Sequence, residues 1–236
     1  TVMKDNTLAK AWELVGFDGK KHPQNSLCAA VAAERMKEEI PDEIKKAPEC
    51  KLRFIDVYGV SISECFSEKH PLTFERAVTI KNSAYNSITE MGLVPGTEDG
   101  FDMICSSVVY SEGMMSPCLL RYNPPECGRN KARPLGKEAA EYLKKYMLNF
   151  RCRVPLWELV WHDSVISFPY WGDSLNCCDS LMNERILFHC LYGCPPLFSF
   201  FEDDFNGLQT MIVNASKQIA SVTEKVGYLE MTDFEY

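Results

Sequence analysis

The chain has 236 residues and a formal net charge of −8. That acidity argues against a nucleic-acid partner, because binding phosphates takes clustered Lys and Arg. Hydrophobic residues at 46% and charged residues at 25% suit a globular domain with a buried core, and no apolar run of about 18 residues is available to span a membrane. The eleven cysteines include no Cys-x-x-Cys pair; the nearest approach is Cys190-Leu-Tyr-Gly-Cys194. Metal ligation is therefore not expected, and no cofactor is. Cysteines scattered through apolar runs read as small buried hydrophobes, which suits a reducing environment. The start at Thr1 and the polar-apolar alternation that begins over 229–236 read as a region excised from a longer protein, and localisation stays undetermined.

In chain order, Asn25 or Ser26 is placed to cap a helix to about Glu39, with Pro41 just past its end. Leu52-Arg-Phe-Ile-Asp-Val-Tyr58 is a short apolar run before Gly59, which predicts a buried strand. Pro71 opens a long helix to about Met91, ended by Gly92. Leu93-Val-Pro-Gly-Thr-Glu98 predicts the next strand. Ile104–Tyr110 is followed by a loop rich in Pro, Gly and Asn from Ser116 to about Arg133. A helix is expected over 136–150, a strand over Val154–Trp161, a helix from Asp179 to about Leu191, a strand-like run over Pro196–Phe200 and a helix from Gly207 to about Val226. Strands alternating with helices at this spacing imply βαβ units and a parallel sheet. About five units are expected, short of the eight of a closed barrel. The predicted fold is thus α/β, the C-terminal five or so units of a (β/α)₈ barrel filling 1–236, with the first strands upstream and a β-sandwich downstream of this chain.

In such a barrel, side chains at the carboxyl ends of strands face the catalytic mouth. Asp56 and Glu98 each close an apolar run, where a buried strand would prefer an apolar residue. One strand–helix–strand unit separates them, so adjacent strands would bring the carboxylates together. Such a pair suits glycoside transfer, in which one carboxylate attacks the anomeric carbon and the other protonates the departing oxygen. On spacing alone, either acid could equally be a solvated strand end or an ion-pair partner.

Six segments add to this: Arg53-Phe-Ile-Asp-Val-Tyr-Gly59, Gly96-Thr-Glu-Asp-Gly100, Tyr110-Ser-Glu-Gly-Met-Met-Ser116, Arg153-Val-Pro-Leu-Trp-Glu-Leu-Val-Trp-His-Asp163, Tyr170-Trp-Gly-Asp173 and Leu191-Tyr-Gly-Cys-Pro-Pro196. In this order, from about Trp12 onward, the chain resembles bacterial barrels related to α-N-acetylgalactosaminidases and endo-α-N-acetylgalactosaminidases, glycoside hydrolase families 129 and 101. The resemblance implies a retaining glycosidase acting on an α-linked sugar, with Asp56 in the place of the nucleophile and Glu98 in that of the acid/base. The partner is then a carbohydrate or glycoconjugate.

Further candidates surround the pair. His162 and Asp163, after an apolar run, are expected at the barrel mouth, where they could hydrogen-bond sugar hydroxyls. Trp171 could stack on a sugar face, and Asp173 could accept from a hydroxyl. Glu112 is a candidate third acid, and a helix cap is the plainer alternative. Glu158 is expected to form a buried ion pair with Arg153 or another Arg, outside catalysis, while His22, His70 and His189 read as structural. A carbohydrate-binding relative without turnover is the rival expectation.

Overall fold

The computed structural model describes residues 1–116, 136–170, 172–200 and 202–235. It divides into two compact units, Thr1–Val108 and Val109–Tyr236.

The first unit opens with an antiparallel hairpin that the sequence pattern did not announce: β1 (Lys10–Val15) pairs with β2 (Lys21–Asn25). Its residues are largely exposed, so it lacks the apolar alternation by which strands are recognised. Helix α1 runs over Ala29–Lys46, starting later and ending later than expected, with Pro41 inside it. Its buried residues are Ala29, Ala33 and Ile40, the i, i+4, i+11 spacing of one face; Leu27, ahead of the helix, is exposed. The parallel pair β3 (Leu52–Ile55) and β4 (Val94–Glu98) is joined through α2 (Phe74–Glu90). β3 stops before Asp56 and is only half-buried, whereas β4 is almost wholly buried.

Helix α2 starts where its sequence says it should. The Thr73 Oγ1 accepts from the Arg76 backbone N–H at 3.3 Å, meeting one of the orphan donors of a helix start. Gly92, at φ 79°, supplies the left-handed residue that ends it. Ala77, Lys81, Ala84, Tyr85 and Ile88 form its buried stripe, which packs against α1 and β4.

The second unit holds the parallel pair β5 (Tyr110–Glu112) and β6 (Ile166–Phe168), with α3 (Lys137–Tyr146), α4 (Leu156–Trp161), α5 (Met182–Leu191) and α6 (Glu202–Val226). Two apolar clusters form its core. One gathers Met115, Leu143, Met147, Phe188, Tyr192 and Cys194, the other Leu175, Ile186, Ala215 and Ile219. Cys177, Cys178 and Cys194 are buried there as free thiols, as their apolar surroundings predicted.

Three expectations need correction. The Val154–Trp161 strand is helix α4, because Pro155 suits a helix start and the Arg153–Glu158 ion pair (2.8 Å) holds its first turn. The strand of this region is β6, three residues long and too short to show a period. Pro196–Phe200 is irregular. The described residues contain four parallel strands where about five strand–helix units were expected, and the fold is mixed α/β. Most of the expected loop from Ser116 to Arg133 lies outside the described residues.

Candidate functional site

The register of β3 on β4 pairs Leu52 with Val94 and Ile55 with Thr97. The pairing ends there: Glu98 is the last residue of β4 and Asp56 the first residue past β3, so both acids sit at the carboxyl ends of neighbouring parallel strands, which lie about 4.8 Å apart. Both lead into sharp turns. Val57 follows Asp56 at φ 62°, and Asp99 follows Glu98 at φ 53°. A β-branched residue rarely adopts that region, and such strain persists only where surrounding contacts enforce it. The same device recurs in the second unit, where Gly113 at φ 95° follows Glu112 at the end of β5.

The two carboxyl groups differ in environment. Asp56 is exposed, whereas Glu98 is 8% exposed. Asp56 lines a cavity of about 440 Å³ together with Trp12, Arg35, Glu39, Tyr58 and Lys81. A volume of this size is within the range of small-molecule sites.

Three residues that sequence reasoning missed enforce the turn after Asp56. Lys81, on the buried face of α2, donates to the carbonyls of Tyr58 and Ser61 and lies 4.4 Å from the centre of the Tyr58 ring. Burial pulls its pKa down to about 8. Tyr58 in turn donates its hydroxyl to the Ala29 carbonyl at 3.2 Å and rests its ring against Tyr85. Gly59 lies so close to β4 that a Cβ there would collide with Thr97 Oγ1 and come within 2.8 Å of Ile104 Cδ1. Thr97 is fully buried and immediately precedes Glu98. A lysine at a buried helical position was the available sequence signal for this cluster.

The remaining candidates divide. Glu112 ends β5, level with Phe168 on β6, as a strand-end acid should. His162 and Asp163 follow helix α4 instead of a strand, and so precede β6, at its amino end. His162 is buried, with Nδ1 2.5 Å from the Leu229 carbonyl, and Asp163 accepts from the Ser164 hydroxyl at 2.8 Å. The geometric reason for placing them at a barrel mouth is therefore gone. Asp173 does follow β6, but both its oxygens are engaged by protein groups. One meets Arg185 in an ion pair with both side chains at most 1% exposed, and the other accepts from Ser116 at 2.8 Å. Burial pushes the Asp173 pKa up against the pull of Arg185 and Ser116. Burial works to lower that of Arg185, and Asp173 beside it holds it above its usual value. Asp173 thus fastens the loop after β6. Trp171 lies outside the described residues.

Glu158 pairs with Arg153 as expected. His189 is structural: its Nδ1 is 3.1 Å from the Cys194 carbonyl, and burial drives its pKa down to about 4. His70 instead joins Cys28 and Cys65 in a cluster able to hold a metal ion. No helix among the described residues is long and apolar enough to cross a membrane.

A family model for glycosyl hydrolases related to the GH101 family, GH129, matches residues 131–236. No curated protein matches the chain. Among solved structures, α-N-acetylgalactosaminidase NagBb from Bifidobacterium bifidum in its GalNAc complex is similar over all of this chain, with TM-score 0.65 and 17% identity. The ligand-free form of that enzyme matches 98% of the chain with TM-score 0.64 and 18% identity. The chain spans about a third of the length of these structures. At such identity the likeness speaks for the fold alone, and the family model relates residues 131–236 to glycosyl hydrolase family 129, itself related to family 101.

Proposed function

We propose that this chain carries the catalytic carboxylates of a retaining glycosidase acting on an α-linked sugar, with N-acetylgalactosamine as the first candidate, on part of a (β/α)₈ barrel. The observation that supports this reading is the β3–β4 register, whose last pair, Ile55 with Thr97, is followed by Asp56 and by Glu98 at the carboxyl ends of adjacent strands. Retaining enzymes need their two carboxyl groups about 5–5.5 Å apart, close to the spacing of neighbouring strands.

The division of labour follows from exposure. Asp56, facing solvent and the cavity, attacks the anomeric carbon as the ionised nucleophile. Glu98, largely withdrawn from water, carries the proton that the departing oxygen needs. Once Asp56 is glycosylated its charge is gone, so Glu98 loses a proton more readily and acts as base toward water. His162, Asp163 and Asp173 are assigned to holding the scaffold.

Azide rescue of the full-length protein with an aryl α-N-acetylgalactosaminide tests the assignment. Asp56→Ala is expected to abolish turnover, with azide restoring it and giving inverted product. Glu98→Ala is expected to spare activated aryl substrates and, with azide, to give retained product. The opposite stereochemistry would reverse the roles. Full activity in either variant would remove that residue from the mechanism, and a wild-type protein that binds the sugar without turnover would leave a binding module.

A further inference from the structure

We propose that Cys28, Cys65 and His70 form a zinc-binding site that ties the start of α1 to the 65–72 loop. Their ligand atoms all lie within 4.8 Å of one another, and Cys65 Sγ is 3.5 Å from His70 Nδ1. Around a tetrahedral Zn²⁺ with its usual bond lengths, neighbouring S and N ligands sit about 3.5 Å apart, and two S ligands slightly farther. Small side-chain rotations therefore close the site. Two thiolates and an imidazole are a donor set that favours Zn²⁺ over the hard, oxygen-seeking cations, and water can complete the tetrahedron from the half-exposed His70 side.

The surroundings suit thiolates held for a metal. Cys28 and Cys65 are each 2% exposed. Cys28 is the residue just before α1, where the helix N-terminus favours negative charge. Cys65 Sγ accepts the Val2 backbone N–H at 3.4 Å, and such N–H···S bonds orient and stabilise metal-bound sulfur. The loop that presents His70 is closed by reciprocal backbone hydrogen bonds between Cys65 and Leu72 (2.9 and 2.8 Å), fixing His70 relative to Cys65.

Placement gives the site a use. Leu27 and Ala29 flank Cys28, and Ser61 and Ser63 shortly precede Cys65; all four line the cavity that contains Asp56. A bound ion would staple the two chain segments that form those walls. The zinc site stands whether or not the carboxylate pair is catalytic.

The test uses the full-length protein, reduced, stripped by chelator and titrated with Co²⁺, followed by Zn²⁺ competition and metal analysis. The expected result is a stoichiometric ion, a thiolate-to-cobalt charge-transfer band and the intense visible bands of a tetrahedral ion, all displaced by Zn²⁺. Cys65→Ser should lose the charge-transfer intensity. Because a buried cysteine variant can misfold, His70→Asn is the second variant: its circular dichroism should match wild type while metal affinity falls by more than about tenfold. Cys105→Ser, at a buried thiol that bonds the Phe101 carbonyl, should bind as wild type does. Absence of the charge-transfer band in the reduced protein would overturn the proposal. So would equal binding by His70→Asn and wild type, or recovery of Cys28 and Cys65 as a disulfide that forms equally fast with Zn²⁺ present.

Discussion

Gly59 shows how one missing side chain can set a site. With nothing beyond a hydrogen on its Cα, it lets the turn after Asp56 lie against Thr97, the residue before Glu98. Gly59→Ala must push the turn or β4 aside, because Thr97 is fully buried and has nowhere to go. Overpacking of this kind costs about 1–3 kcal/mol. Thermal denaturation should show a loss of that order, and turnover should fall by more than stability does, because a displacement near 1 Å between reacting groups costs about 100-fold in rate. A normal rate in a destabilised Gly59→Ala protein would separate the packing role from the site.

At the scale of elements, the turn between β3 and α2 is held from outside by Lys81, one helix away in sequence. Its two carbonyl partners, Tyr58 and Ser61, span the turn, so α2 sets the direction in which Asp56 leaves β3. This has a pH signature. The folded-state pKa of Lys81 is lowered to about 8 from 10.5, so between those values the native state has released a proton that the unfolded chain still holds. Stability therefore rises with pH across the window from about 8 to about 10.5 and is insensitive to this group below 8. The difference in denaturation free energy between wild type and Lys81→Met, measured from pH 7 to 10, should grow in favour of wild type above pH 8. A flat difference would show that Lys81 titrates normally. The same scale explains the misassigned strand. Leu-Trp-Glu-Leu-Val-Trp over 156–161 is apolar enough for either structure, and periodicity cannot separate a short buried strand from a helix turn. The decision came from Pro155, from Glu158 pairing with Arg153, and from Trp157 donating to Ser167 at 2.8 Å on the strand that follows.

For the whole chain, the buried Arg185–Asp173 pair organises the second unit. Arg185 also donates to the carbonyls of Ser174 and Leu175 (2.6 and 3.3 Å) and to Cys177 Sγ at 3.0 Å, so one guanidinium fixes the segment that joins β6 to α5. Arg185→Met leaves Asp173 buried without its cation, a change that costs about 3–5 kcal/mol. Hydrogen exchange should quicken throughout 109–236 while the protection of α1 and α2 holds; uniform loss of protection along the chain would contradict the division into two units. By itself, the sequence determined the long helices, the acids that close the apolar runs of β3 and β4, an arginine partner for Glu158 and the family likeness. All of these are local patterns, or short motifs read in order. Only the tertiary structure decided the rest, because it depends on contacts between residues far apart in the chain. Arg185 consumes both the charge and the geometry of Asp173. Helix α4 moves His162 to the amino end of β6. Lys81 holds the turn after Asp56 from the helix that follows, and Gly59 within it meets Thr97 on β4. Cys28 and Cys65, with no close spacing to mark them as ligands, meet His70 only once α1 and the 65–72 loop have folded together.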